Sequence, residues 1–165
     1  MAIKKTQRGF ALLIAVIFMS VMLSFGLTLG SLGYKQQVLA SSAIESQYAF
    51  YAADGALECA LYYDQRLHSF IYPQFPSSPP PIRCDTAAPF SSSMVTYNLL
   101  YWEITYRLSL DSGHCADVTV YKYKNPDPLT AITTYIFSQG YDVSCATVTS
   151  PGDARFSSRG LNYHY

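Results

Sequence analysis

The sequence predicts an α+β fold: one long N-terminal α-helix, transmembrane in its first half and amphipathic in its second, packed on a small antiparallel β-sheet head. Three observations predict it. No charged residue occurs from Phe10 to Tyr34, and the apolar run there is long. The helical pattern then continues through Lys35–Tyr63 without a proline and with Gly55 as its one glycine. After residue 103 the pattern switches to strict alternation, the period of a half-buried strand.

The N-terminal residues read Met-Ala-Ile-Lys4-Lys5-Thr-Gln-Arg8-Gly9-Phe10, so three cations precede the apolar run and Lys35 follows it. Basic residues at the short end hold that end in the cytoplasm and predict export of the remainder. The 24 residues from Phe10 to Gly33, at about 1.5 Å each, span a hydrocarbon core of about 30 Å. A secretory signal has an apolar core of only about 7–15 residues. Ser31-Leu32-Gly33 nevertheless leaves open a signal-peptidase cut near Gly33 and a secreted binding or enzymatic domain. Small residues recur at spacing four, Ser20, Ser24 and Thr28 on one line and Gly26 and Gly30 on another. Such spacing places them on a common helix face, where a second helix can approach closely; simple tolerance of Gly and Ser in membrane helices is the other reading.

In the second half, Phe50, Leu57 and Leu61 form an apolar stripe that Ile44, Tyr48 and Tyr51 widen, predicting the face that meets a globular body. The combined helix is about 55 residues, roughly 80 Å. Beyond it, Pro73, Pro76, Pro79, Pro80, Pro81 and Pro89 make residues 72–93 a proline-rich loop. Ile104, Tyr106, Leu108 and Leu110 then alternate with polar residues, Asp111-Ser112-Gly113-His114 supplies a turn, and Ala116, Val118 and Val120 return as the second strand of a hairpin. Further strands are expected over Thr130–Ser138, Tyr141–Val148 and Leu161–Tyr165, giving five or six.

All four cysteines, Cys59, Cys84, Cys115 and Cys145, follow the apolar run, and none forms a C-x-x-C pair. An even number of scattered cysteines beyond a membrane segment predicts two disulfides in an oxidising compartment, with three connectivities open. Cys59–Cys84 with Cys115–Cys145 is favoured, because it ties the helix end to the exit of the proline loop and one hairpin strand to a later strand. Cys84–Cys115 with Cys59–Cys145 is the alternative.

With these residues in hand, the N-terminus resembles the class III signal of type IV prepilins. Lys4-Lys5-x-x-Arg8-Gly9-Phe10-Ala-Leu-Leu-Ile has the family's basic leader, a Gly at its end and a Phe starting a long apolar helix. Residues 46–58, Ser-Gln-Tyr-Ala-Phe-Tyr-Ala-Ala-Asp-Gly-Ala-Leu-Glu, are similar to a run found on the same helix in minor pilins. The resemblance implies a pilin-like fold divided into a cleaved leader (1–9), a membrane or filament-core half (10–33), an amphipathic half (34–64) and an exported head (65–165). It also implies a prepilin peptidase cutting between Gly9 and Phe10, N-methylation of Phe10, a membrane assembly platform, and other pilin subunits as partners. The protein would wait in the cytoplasmic membrane, in contact with the bilayer, before reaching the cell surface. One departure matters: the family's glutamate at the fifth mature position is Ile14 here. That carboxylate is thought to neutralise a neighbouring subunit's amine, so its absence points to a minor, initiating or tip-proximal subunit. The tip-capping pseudopilin of type II secretion lacks it too.

Catalytic motifs are missing from the sequence: there is no Gly-x-Ser-x-Gly elbow, phosphate-binding glycine loop or His-Glu-x-x-His. The expectation is a structural subunit, not an enzyme, with no cofactor. Asp111, His114 and Asp117 cluster near a turn whose composition is ordinary, and no metal site is expected. Glu45, Asp54 and Glu58 read as a solvated or subunit-facing side of the helix. With 13% charged residues and formal charge zero, a basic nucleic-acid surface is not expected. Lys122-Tyr123-Lys124 is the one basic-aromatic feature, and a solvated edge with gatekeeping lysines explains it more simply. The fifteen tyrosines, all at or beyond Tyr34, are the better lead to an adhesive or subunit-packing surface.

Overall fold

A computed structural model describes residues 8–70, 79–84, 92–97, 101–110, 113–124 and 132–165, with backbone alone at 8–9 and 92–97. Helix α1 runs Arg8–Gln65, strands β1 Ser92–Tyr97, β2 Tyr101–Ser109, β3 Cys115–Tyr123 and β4 Thr133–Tyr141 follow, then a short helix α2 at Cys145–Thr149 and strand β5 at Ser158–His164. The strands form one antiparallel sheet in sequence order, β1-β2-β3-β4-β5. One long N-terminal helix packed on an antiparallel sheet is the α+β class expected from the sequence. The chain divides into two compact units, Met1–Ser42 and Ala43–Tyr165. Most of the proline-rich loop, 72–78 and 85–91, lies outside the described residues.

Inside the second unit, alternation along the strands selects the inner face. Trp102, Ile104, Tyr106 and Leu108 of β2 point inward with Ala116, Val118 and Val120 of β3 and Ile136 of β4, all buried. Phe70, just before the proline-rich loop, and Ile82, within it, complete the core. The Tyr106 hydroxyl donates to the Pro80 carbonyl at 2.8 Å, so this buried phenol keeps its hydrogen bond.

The helix face meeting the sheet differs from the expected stripe. Ala49, Ala52, Ala53, Ala56 and Ala60 are buried with Leu57, whereas Ile44, Tyr48, Phe50 and Tyr51 are exposed and Leu61 is half-buried. The cause is distance. Gly140 of β4 sits directly under α1, and a Cβ built on it would overlap the backbone of Ala49 and Ala53. Between them the Ser138 hydroxyl donates to the Ala53 carbonyl at 2.8 Å. Only alanine-sized side chains fit a helix seated that close, so the bulky residues turn outward.

Three further expectations change. Gly140, the residue before the expected Tyr141–Val148 strand, lies inside β4, where the close approach of α1 leaves room for glycine alone. The expected Tyr141–Val148 strand ends at Tyr141 and gives way to α2. There Ser144 caps the helix, its hydroxyl accepting the Thr147 N–H. A strand also forms at Ser92–Tyr97, where the proline loop was expected to reach residue 93; a register shift between Ser92 and Met94 marks its irregular entry. The β2–β3 hairpin closes through Gly113 at φ 78, whose N–H donates to the Leu110 carbonyl.

Disulfides join Cys59 to Cys84 and Cys115 to Cys145, the pairing favoured from the sequence. The first ties the last turns of α1 to the segment after the proline run; the second ties β3 to α2. Closing loops of 25 and 30 residues stabilises each by about 3.5 kcal/mol in the chain-entropy account.

Candidate functional site

The first candidate surface is the N-terminal part of α1. The helix contains a window of mean hydropathy 2.6, long and apolar enough to cross a membrane, none of it buried within the chain. Phe10, Leu13, Ile14, Ile17, Phe18, Leu23 and Phe25 are all at least half exposed. Gly9 and Phe10 fall in the first turn of α1, where N–H groups have no intrahelical acceptor and the backbone frays readily. Ile14 stands one turn further on, apolar among apolar neighbours.

The polar atoms of this segment are satisfied within it. Ser20 Oγ donates to the Ile17 carbonyl at 2.8 Å, Ser24 Oγ to Ser20 at 3.0 Å, and Thr28 Oγ1 to Phe25 at 2.9 Å and Ser24 at 3.1 Å. Back-bonding of this kind lets a hydroxyl enter an apolar medium without an unmet donor. Ser20, Ser24 and Thr28 line a shallow groove with Val21 and Phe25. Nothing stands within 4 Å of a Cβ built on Gly26 or Gly30, so both present bare backbone to whatever packs there.

The second candidate lies at the end of the sheet beside Asp64. Lys122 Nζ donates to both carboxylate oxygens of Asp64, at 2.5 and 2.6 Å, and both residues are buried. The Tyr165 hydroxyl donates to the same carboxylate. Burial and then the Asp64 carboxylate raise the Tyr165 phenol above its ordinary value, since ionising it would set two anions side by side. The cluster forms one wall of an open cleft of about 490 Å³ that Gln65, His68, Phe70, Ile132 and Thr134 complete. Lys122 is therefore no edge gatekeeper: β3 is the central strand, and only Lys124 of the expected basic pair is exposed. The signal was present in the sequence. Lys122 shares the parity of Ala116, Val118 and Val120, which places it on the inner face, where it needs an acid.

At the opposite end, Arg107 grips Asp117 with two 2.7 Å bonds and reaches Thr149 at 3.0 Å. The hydrogen bond to Asp117 is the main reason the guanidinium holds its proton still more tightly than usual. Asp117 is thus engaged, and His114 stacks on Tyr48 at 5.1 Å; Asp111 lies outside the described residues. Among the described residues no three His, Cys, Asp or Glu side chains converge as metal ligands do. Asp54 is half-buried and Glu58 exposed on α1.

Part of the tyrosine set lies on the outer face of the sheet. Tyr101, Tyr123, Tyr135 and His164 come from β2, β3, β4 and β5 and touch in succession, with centroids 5.9, 5.6 and 5.6 Å apart. Sequence reading found the strands but not this juxtaposition, which depends on register. Comparison with known proteins adds no relative: no family model, no curated protein and no solved structure matches the chain.

Proposed function

We propose that the chain is a minor type IV pilin-like structural subunit, cut by a prepilin peptidase after Gly9, methylated on Phe10 and incorporated into a pilus or pseudopilus. The observation that carries this reading is the wholly exposed apolar surface of residues 10–33, whose hydroxyls bond to their own helix and which continues unbroken into the helix bearing the head. A surface of that kind is satisfied by lipid before assembly and by other pilin helices afterwards, so its activity is packing and not catalysis. Cleavage removes Lys4, Lys5 and Arg8, leaving 8 basic against 11 acidic side chains. Extraction by a membrane platform then carries the head to the cell surface; residues 65–165 carry 7 basic and 7 acidic side chains, so the acidic excess lies on α1. Ile14 favours a tip or initiating position, because a subunit with no carboxylate at that depth supplies nothing to neutralise a neighbour's amine, and an unpaired charge there is costly.

The experiment is to determine the N-terminal residue of the mature protein in its native host. N-methyl-Phe10 supports the pilin reading. Tyr34 would replace it with a secreted domain released after Gly33, and an uncut Met1 with a single-pass membrane protein that does not assemble. A second variant tests position: Ile14→Glu is expected to shift the protein from few copies toward the filament body, and unchanged incorporation would overturn the tip assignment.

A further inference from the structure

We infer that the outer face of the sheet, at the end beside Asp64, binds an uncharged oligosaccharide. Two sets of rings form the site. Tyr121 stacks with Tyr123 at an interplanar angle of 21°, and Tyr101 is tilted by 32° from Tyr123. Tyr135 and His164 form a second stack at 19°. The sets meet at a right angle where Tyr123 contacts Tyr135, making a corner with two aromatic walls. Phe137 extends it along β4, its ring edge 3.3 Å from where a Cβ on Gly160 would stand. Tyr123, Tyr135 and Phe137 remain 40–45% exposed, so mutual packing leaves much of each ring open.

Support of the sheet does not require these residues. Two positions along β2 and β3 from Tyr121, the same face is held by Thr105 and Thr119, whose hydroxyls meet at 3.2 Å, and cross-strand pairs of either kind contribute about 0.2–1 kcal/mol. The ladder places exposed apolar area where threonine would have sufficed, and concentrated aromatic area of that sort marks an interaction site.

Charge selects the ligand class. Stacking platforms for single-stranded nucleic acid combine rings with a positive groove along the backbone. Among the described residues no lysine or arginine occupies a strand position of this face between the rings, Lys122 having inner parity, and Glu103 lies opposite Tyr121 in register. Residues 43–165 carry 7 basic against 11 acidic side chains, four of the acids on α1. A polyanion is repelled. A folded protein partner needs about 800 Å² on each side for a stable contact, and six partly covered rings offer on the order of 400 Å². A short saccharide chain needs less. Its C–H faces lie on ring faces, its hydroxyls need fixed polar partners, and Glu103 and Asn162 supply them. The inference is independent of pilus assembly, since it concerns the head alone.

The test uses the full chain in micelles of a polyoxyethylene detergent, which has no sugar headgroup. The probes are the β-1,4 hexasaccharides of glucose and of N-acetylglucosamine, with oligothymidylate as the polyanion, followed by calorimetry and tyrosine fluorescence. Saturable binding of at least one hexasaccharide is expected, weakened about tenfold in Tyr123→Ala and Tyr135→Ala and nearly unchanged in Tyr123→Phe, which keeps the ring. Near-UV circular dichroism and intact disulfides establish that each variant is folded. Saturation by neither hexasaccharide in the unaltered chain overturns the inference whatever the variants do. Equal binding by the alanine variants, or a salt-sensitive preference for oligothymidylate, overturns it too.

Discussion

Replacing Gly140 with alanine tests whether the seat of the helix on the sheet is as close as described. The added methyl group would overlap the main chain of Ala49 and Ala53, not the end of a flexible side chain. Overpacking a core costs about 1–3 kcal/mol when side chains can yield. Here the helix itself must lift, which also stretches the 2.8 Å bond from Ser138 to Ala53; a buried hydroxyl and carbonyl left unpaired add about 1–3 kcal/mol. A loss of about 3–5 kcal/mol follows, on the order of 10 °C in Tm. The measurement is urea or thermal unfolding of the full chain in micelles, read by near-UV circular dichroism. Gly26→Ala and Gly30→Ala serve as controls, since neither meets an obstacle and each should stiffen α1 by up to about 1 kcal/mol. If Gly140→Ala costs less than about 1 kcal/mol, α1 does not rest on β4 as described.

Three other outcomes are expected. Lys122→Met leaves Asp64 buried with one hydrogen-bond donor fewer and should cost about 3–5 kcal/mol, while Lys122→Met with Asp64→Leu recovers most of it; equal losses in denaturant unfolding would mean the pair is not desolvated. Removing the second bridge with Cys115→Ala and Cys145→Ala should cost about 3.5 kcal/mol and loosen α2 first, measurable as faster amide exchange at residues 145–149. Burial raises the Tyr106 phenol above its ordinary value of 10.0, so the unfolded chain loses this proton first as pH rises. Stability is then retained below pH 10 and falls above it, by about 1.4 kcal/mol per pH unit for each such proton. Tyr106→Phe should remove one proton from that slope between pH 10 and 12; an unchanged slope would refute the assignment.

Legibility in the sequence followed the range of the interactions. The helix, the hairpin and the parity of Ile104, Tyr106 and Leu108 are local patterns, and each is where the alternation put it. The favoured cysteine pairing is the one present, although its second bridge ends on α2 and not on a strand, with the whole of β4 between Cys115 and Cys145. What escaped was non-local. A hydrophobicity count marks Phe50 and Tyr51 as core and alanine as filler; only the presence of Gly140, 91 positions beyond Ala49, makes alanine the residue that fits. Lys122 was misassigned because a lysine suggests water, although its parity said otherwise and Asp64, 58 positions away, supplies the compensation. The Tyr141–Val148 segment is rich in strand formers, yet Ser144 caps a helix turn and Cys145 is bound to Cys115.

The alanine face of α1 has a consequence for how the protein can change. Because the head rests on small side chains, the large ones at Tyr48, Phe50, Tyr51 and Tyr62 are released from most of the work of folding it and stand exposed on the same helix. Substitutions on one side of a single rod are then felt as unfolding, and on the other as altered association. A lineage could redraw the outward side to meet new neighbours while the inward side holds the domain intact, so the two properties can drift separately along one stretch of sequence.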